Sequence, residues 1–139
     1  MKINESQIKF GQNIVSKDEA IRTAGQVLLE NGFVSKEYIN SMIKKEETDI
    51  TYIGNGVAIP HGRYEDRQYI QKSGISVIHY PEGIDYNNEL AYLVIGIAAN
   101  DDDHIEILQE LAIKLSDESY VISLITSDTR ELFIEKFNN

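Results

Sequence analysis

Cysteine is missing from all 139 residues, which excludes disulfides, thiol nucleophiles and thiolate metal sites together and suits a reducing compartment such as the cytoplasm. Basic residues are scarce: 13 Lys and Arg stand against 23 Asp and Glu, a formal charge of −10. Phosphate neutralisation needs clustered cations, so nucleic acid is not an expected partner. The acidity reads either as plain solubility or as steering toward a basic protein. No apolar run reaches the roughly 20 residues of a membrane span, and the opening "MKINESQIKF" lacks the apolar core of a signal peptide. Walker A and GxSxG patterns are absent, and "GNG" at 54–56 is too short for a dinucleotide fingerprint. No repeat, low-complexity tract or Pro/Gly-rich linker divides the chain, so 1–139 is expected to be a single domain.

What is present alternates between helical and extended patterns. "SKDE" at 16–19 has capping-box spacing, apolar residues recur at helical intervals after it, and Gly32 stands where a left-handed C-terminal residue belongs. A helix over about 17–31 follows. Ser35 is expected to start a second one, with Ile39, Met42 and Ile43 inward and Glu46 and Glu47 at its exposed end. "GVAIP" and "SGISVIHY" read as strands, the latter closed by a turn at "PEG". "LAYLVIGIAA" at 90–99 is continuously apolar, as a central strand covered on both faces would be. From about 103, Ile105, Leu108, Leu111, Ala112 and Leu115 form one helical stripe, and "SDESYVISLI" and "SDTRELFIEKF" predict two shorter helices. The expected class is α/β (α+β), a mixed β-sheet flanked by helices.

Three histidines carry the candidate chemistry. His79, inside "SVIHYP", reads as a structural strand residue; a three-histidine zinc site with the other two is conceivable but lacks the local two-ligand spacing of persuasive zinc motifs. His61 and His104 each follow an apolar strand segment, the end at which open α/β sheets gather functional groups. Pro60 restricts the backbone before His61, and Gly62 after it leaves room for close approach. His104 lies at the start of a helix, where free N–H groups favour an anion. One imidazole could attack phosphorus while the other donates to phosphoryl oxygens. Asp101, Asp102 and Asp103 beside it would repel such a group unless they cap the helix, point outward or meet a basic partner.

The run "YIGNGVAIPHG", with "YPEGIDY", "LVIGIAANDDDHIEIL" and "LSDES", resembles the IIA domain of mannitol/fructose-type sugar phosphotransferase systems, nearest the mannitol branch, over almost the whole chain. The resemblance implies a phosphocarrier. HPr would phosphorylate the imidazole matching His61, and the phosphoryl group would pass to a cysteine of the cognate IIB domain and, through IIC, to the sugar. His104 matches the histidine that stabilises the group in transit. No bound cofactor or metal belongs to the scheme. Two positions depart from the family pattern. Lys45 stands where the family usually has arginine, sixteen positions before the active histidine, and Arg63 stands where mannitol members commonly have threonine. Lysine keeps the charge and loses the planar fork; Arg63 either takes over part of the cationic role or simply meets the acidic surface. The same fold also serves, in other branches, as a regulatory module that senses phosphorylation.

Overall fold

In a computed structural model that describes residues 1–139, five strands form one mixed sheet of order β1-β4-β5-β3-β2. They are β1 (Ile8–Lys9), β2 (Tyr52–Gly54), β3 (Val57–Ala58), β4 (Gly74–Tyr86) and β5 (Glu89–Ala98). β1 runs parallel to β4 and β3 parallel to β5, while β4/β5 and β2/β3 are antiparallel. Helices α1 (Lys17–Glu30) and α2 (Glu37–Thr48) cover one face; α3 (Asp101–Leu115), α4 (Glu118–Ile125) and α5 (Arg130–Asn138) cover the other.

Alternation along β5 explains its unbroken apolarity. Leu93, Ile95 and Ile97 pack with Leu111, Leu115, Val121, Leu124, Phe133 and Phe137. Val94 and Ala98 face Ala24, Leu28 and Met42 across the sheet. A strand with helices on both sides has no face left for polar residues.

The helix signals correspond to real ends. Ser16 accepts the Glu19 N–H, Gly32 adopts φ +74°, and α4 and α5 are capped by Asp117 and Thr129. Four expectations need correction. α2 begins at Glu37 rather than at Ser35, which contributes its carbonyl to the Tyr38 N–H in the preceding turn. Glu46 is not a surface group: it is buried, accepting from the Thr51 N–H and from the Thr51 and Tyr86 hydroxyls, with Lys17 Nζ at 3.3 Å. "PEG" does not end the strand. β4 continues to Tyr86 through a register shift between His79 and Ile84 in which Gly83 takes φ +78°, and the reversal falls on Asn87 and Asn88, both in the left-handed region. Finally, α3 starts at Asp101, with Asn100 as its N-cap residue, and its buried stripe is Leu111 and Leu115 flanked by half-buried Ile107 and Leu108. Ile105 and Ala112 lie off that stripe and are exposed.

His79 is a structural residue, as read, and belongs to no zinc cluster. Its ring stacks on Phe10 at 4.4 Å; Nδ1 accepts from the Gly11 N–H, and Nε2 faces the Ile125 carbonyl and therefore carries the proton. Burial holds it below the ordinary imidazole pKa of 6.5, and the same holds for His61 and His104. The unfolded chain thus binds protons first on acidification, so stability is complete above about pH 6.5 and falls as pH drops below that value. Urea midpoints measured from pH 7.5 to 5 should decline over this interval, ahead of most carboxylate titration. A His61→Ala/His104→Ala variant should keep the portion due to His79. A flat profile would contradict the burial of these rings.

Candidate functional site

Sheet order brings the two distant histidines together. Because β3 and β5 are parallel neighbours, their C-terminal ends lie at the same edge. The chain leaving β3 stays beside β5: the Ile97 N–H donates to the Pro60 carbonyl, and His61 forms a parallel bridge with Ile97. The chain leaving β5 turns into α3, whose fourth residue is His104. The imidazole centroids stand 5.4 Å apart with planes inclined at 67°.

The histidine loop is fastened from below by α2. Tyr38, 2% exposed, donates its hydroxyl to the Ile97 carbonyl and accepts the Gly62 N–H, both at 2.8 Å. Ser41 Oγ accepts the Arg63 N–H and donates to Asp66. Gly62 is required here by packing: a Cβ would lie 2.5 Å from the Tyr38 ring. Burial pushes the Tyr38 hydroxyl up to about 12, so it remains a donor at any physiological pH. Tyr38→Phe keeps the ring and leaves a buried carbonyl and a loop amide without that partner. A loss of about 1–3 kcal/mol is expected in urea denaturation; an unchanged midpoint would mean that the hydroxyl bridge does not hold the loop.

His61 is half-buried. Its Nδ1 sits 2.9 Å from the Ile59 carbonyl, which can only accept, so Nδ1 bears the proton and the Nε2 lone pair is left free. Burial lowers the pKa of His61, the bond to Ile59 opposes this, and His104 and Lys45 add to the depression. Burial likewise lowers His104, helped by Lys45 and opposed by Asp101. Near neutral pH both rings are uncharged, the state a nitrogen nucleophile needs.

Both rings line a cleft of about 390 Å³ whose wall also includes Lys45, Arg63, Tyr64, Arg67, Asp101 and Ile105. All four site residues expected from sequence therefore meet in one place. Each of the two expected cations is held by a carboxylate: Lys45 Nζ by Asp49 at 2.9 Å and Arg63 Nε by Asp66 at 2.8 Å. Hydrogen bonding from Lys45 depresses the Asp49 pKa; Ser41 and then Arg63 depress that of Asp66. The acidic turn of α3 is exposed, with Asp103 accepting from Ser73 and Asp101 3.8 Å from Arg67. These carboxylates complement the positive end of the helix. No group of three His, Cys, Asp or Glu side chains is arranged to hold a metal.

Sequence reading missed Tyr38, Ser41 and Arg67. The first two look like ordinary inward helix residues. Arg67 follows Tyr64 by three positions within the 3₁₀ segment Tyr64–Tyr69, a spacing that stacks the two side chains but has no meaning until the segment is known to be helical.

A sequence model of the family described as phosphoenolpyruvate-dependent sugar phosphotransferase system, EIIA 2, matches residues 1–139. The chain is 42% identical over 135 residues to the mannitol-specific phosphotransferase enzyme IIA component of Bacillus subtilis (strain 168), covering 96% of this chain and 94% of that one. The fold superposes on the crystal structure of mannitol IIA from Escherichia coli with TM-score 0.90 and 35% identity, over 98% of this chain and 99% of that one. It superposes with TM-score 0.88 and 34% identity on the IIA chain in a complex of mannitol enzyme IIA with phosphorylated enzyme IIB from Escherichia coli, over 97% and 96% of the two chains.

Proposed function

The chain belongs to the EIIA 2 family of sugar phosphotransferase systems, and from that premise we propose that it is a mannitol-type phosphocarrier in which His61 Nε2 takes a phosphoryl group from phosphorylated HPr and hands it to a cysteine of a cognate IIB. The observation that carries the reading is the free Nε2 of His61 beside His104 in a cleft lined by cations. The B. subtilis relative is a mannitol IIA component, and the E. coli neighbour is recorded in complex with phosphorylated IIB; both support the same role here. No helix is long and apolar enough to cross a membrane, which agrees with a cytoplasmic protein that meets IIC only through IIB. The substrate ultimately served is mannitol or a related polyol.

In the first transfer the Nε2 lone pair forms a bond to phosphorus as the phosphorus–nitrogen bond of the HPr phosphohistidine breaks, its electron pair returning to that imidazole. In the second, a IIB cysteine thiolate attacks phosphorus, and the electrons of the Nε2–P bond restore the His61 lone pair. The proton stays on His61 Nδ1, donated to the Ile59 carbonyl, throughout. Such a transfer passes through a loose transition state with charge on the equatorial oxygens, so the protein contributes alignment and donors more than covalent chemistry. His104 supplies one donor; Lys45 and Arg63 supply cationic ones. The surplus of acidic groups on the chain suits docking on basic partner surfaces.

Phosphorylated HPr, this chain and a IIB protein mixed in sequence test the scheme. ³¹P NMR should show a phosphohistidine substituted at Nε2, then its loss as phosphocysteine appears on IIB. Transfer that stops on this chain, with no IIB acceptor found, would instead favour the regulatory role.

A further inference from the structure

We propose that Arg67 is a third cationic ligand of this site, the one most readily turned to the oxygens of phosphorylated His61; the inference rests on the phosphocarrier reading above. Arg67 lines the same cleft as His61 and His104, on the segment that directly follows the histidine loop. Its guanidinium lies over the Tyr64 ring, 4.0 Å from the centroid, and one nitrogen donates to the Tyr64 carbonyl at 3.1 Å. Stacking fixes the plane of the fork while leaving its remaining N–H groups unbound.

The cations of the cleft differ in how firmly they are engaged. Lys45 and Arg63 each donate a short hydrogen bond to a carboxylate, Asp49 and Asp66. Arg67 has only Asp101, at 3.8 Å and without a hydrogen bond. Those carboxylates partly neutralise Lys45 and Arg63 and oppose an approaching phosphoryl dianion; Arg67 has no hydrogen-bonded carboxylate and turns to it without that opposition. Arginine also presents two parallel N–H groups to two oxygens, which a lysine cannot. Asp101 then has a second role. It lies within reach of Arg67 while the cleft is empty, and a phosphoryl group of higher charge outcompetes it.

Phosphorylating the protein with the small donor phosphoramidate removes any partner protein from the test. Arg67→Gln should accept phosphate at His61, yet lose it by hydrolysis roughly five- to twenty-fold faster than the parent, with Arg67→Lys in between. In a ³¹P titration the second ionisation of the phosphohistidine should move to higher pH in Arg67→Gln, because a ligand to the dianion has gone; a purely structural change would not shift it. Arg67 is about half exposed, so both variants should fold. Parent-like lifetime and titration in Arg67→Gln would overturn this assignment alone. A parent protein that takes no phosphate on His61 would overturn the phosphocarrier reading and this one with it.

Discussion

His61→Ala is expected to abolish phosphoryl acceptance, lowering labelling from phosphorylated HPr by at least roughly a thousandfold. Nothing else in the cleft can replace the lost atom. His104 has its own ring in place, but in the proposed scheme phosphorus bonds to Nε2 of the residue whose Nδ1 is anchored to Ile59, and no hydroxyl or thiol lines the pocket beside it except the phenols of Tyr38 and Tyr64. Tyr38 is buried and bonded on both sides of its oxygen. Structural damage should be small. The side chain makes one bond, to Ile59, worth about 1 kcal/mol, and the backbone of the loop is held independently by Pro60, Gly62 and Arg63. Acid-labile, base-stable phosphate counted after quenching decides the point. A folded variant that still acquires label would remove His61 from its role, and label found on His104 would reverse the two assignments.

His104→Ala should behave differently: full acceptance at long times, reached about 10²- to 10³-fold more slowly, as when one preorganised donor to a developing oxyanion is removed. The ring pair at 5.4 Å puts His104 within reach of a group carried on His61, without the anchored tautomer of its neighbour. His104→Gln, which can still donate, should recover part of the rate. Rapid-quench transfer with phosphorylated HPr separates rate from capacity. An unchanged rate constant in the alanine variant would exclude oxygen stabilisation by this ring; reduced final occupancy with a normal rate would point to a ground-state role instead.

The layered architecture was readable because α1 and the C-terminal helices carry caps and a helical period, and the doubly covered β5 an unbroken apolar run. β1, β2 and the 3₁₀ segments Glu5–Gln7 and Tyr64–Tyr69 were not, since two to six residues cannot establish a repeat. The misread "PEG" shows a related limit. Proline and glycine mark a turn or a bulge equally well, and only pairing with β5 decides between them. Within the site, Pro60 and Gly62 marked His61 as a candidate, while its proximity to His104 was not a property of spacing at all. It follows from β3 and β5 being parallel neighbours, which places two strand exits side by side. The buried Glu46 eluded sequence reading because its partners, Thr51 and Tyr86, arrive from a following loop and a distant strand.

The backbone bond from Ile97 to Pro60 makes the histidine loop an extension of the central strand rather than a hinge. A courier that must face a donor and a recipient in turn gains from this rigidity, since neither encounter has to wait for, or spend binding energy on, shaping the cargo's seat. Its partners then meet a seat already shaped, and the docking surfaces around it can change without reshaping the loop.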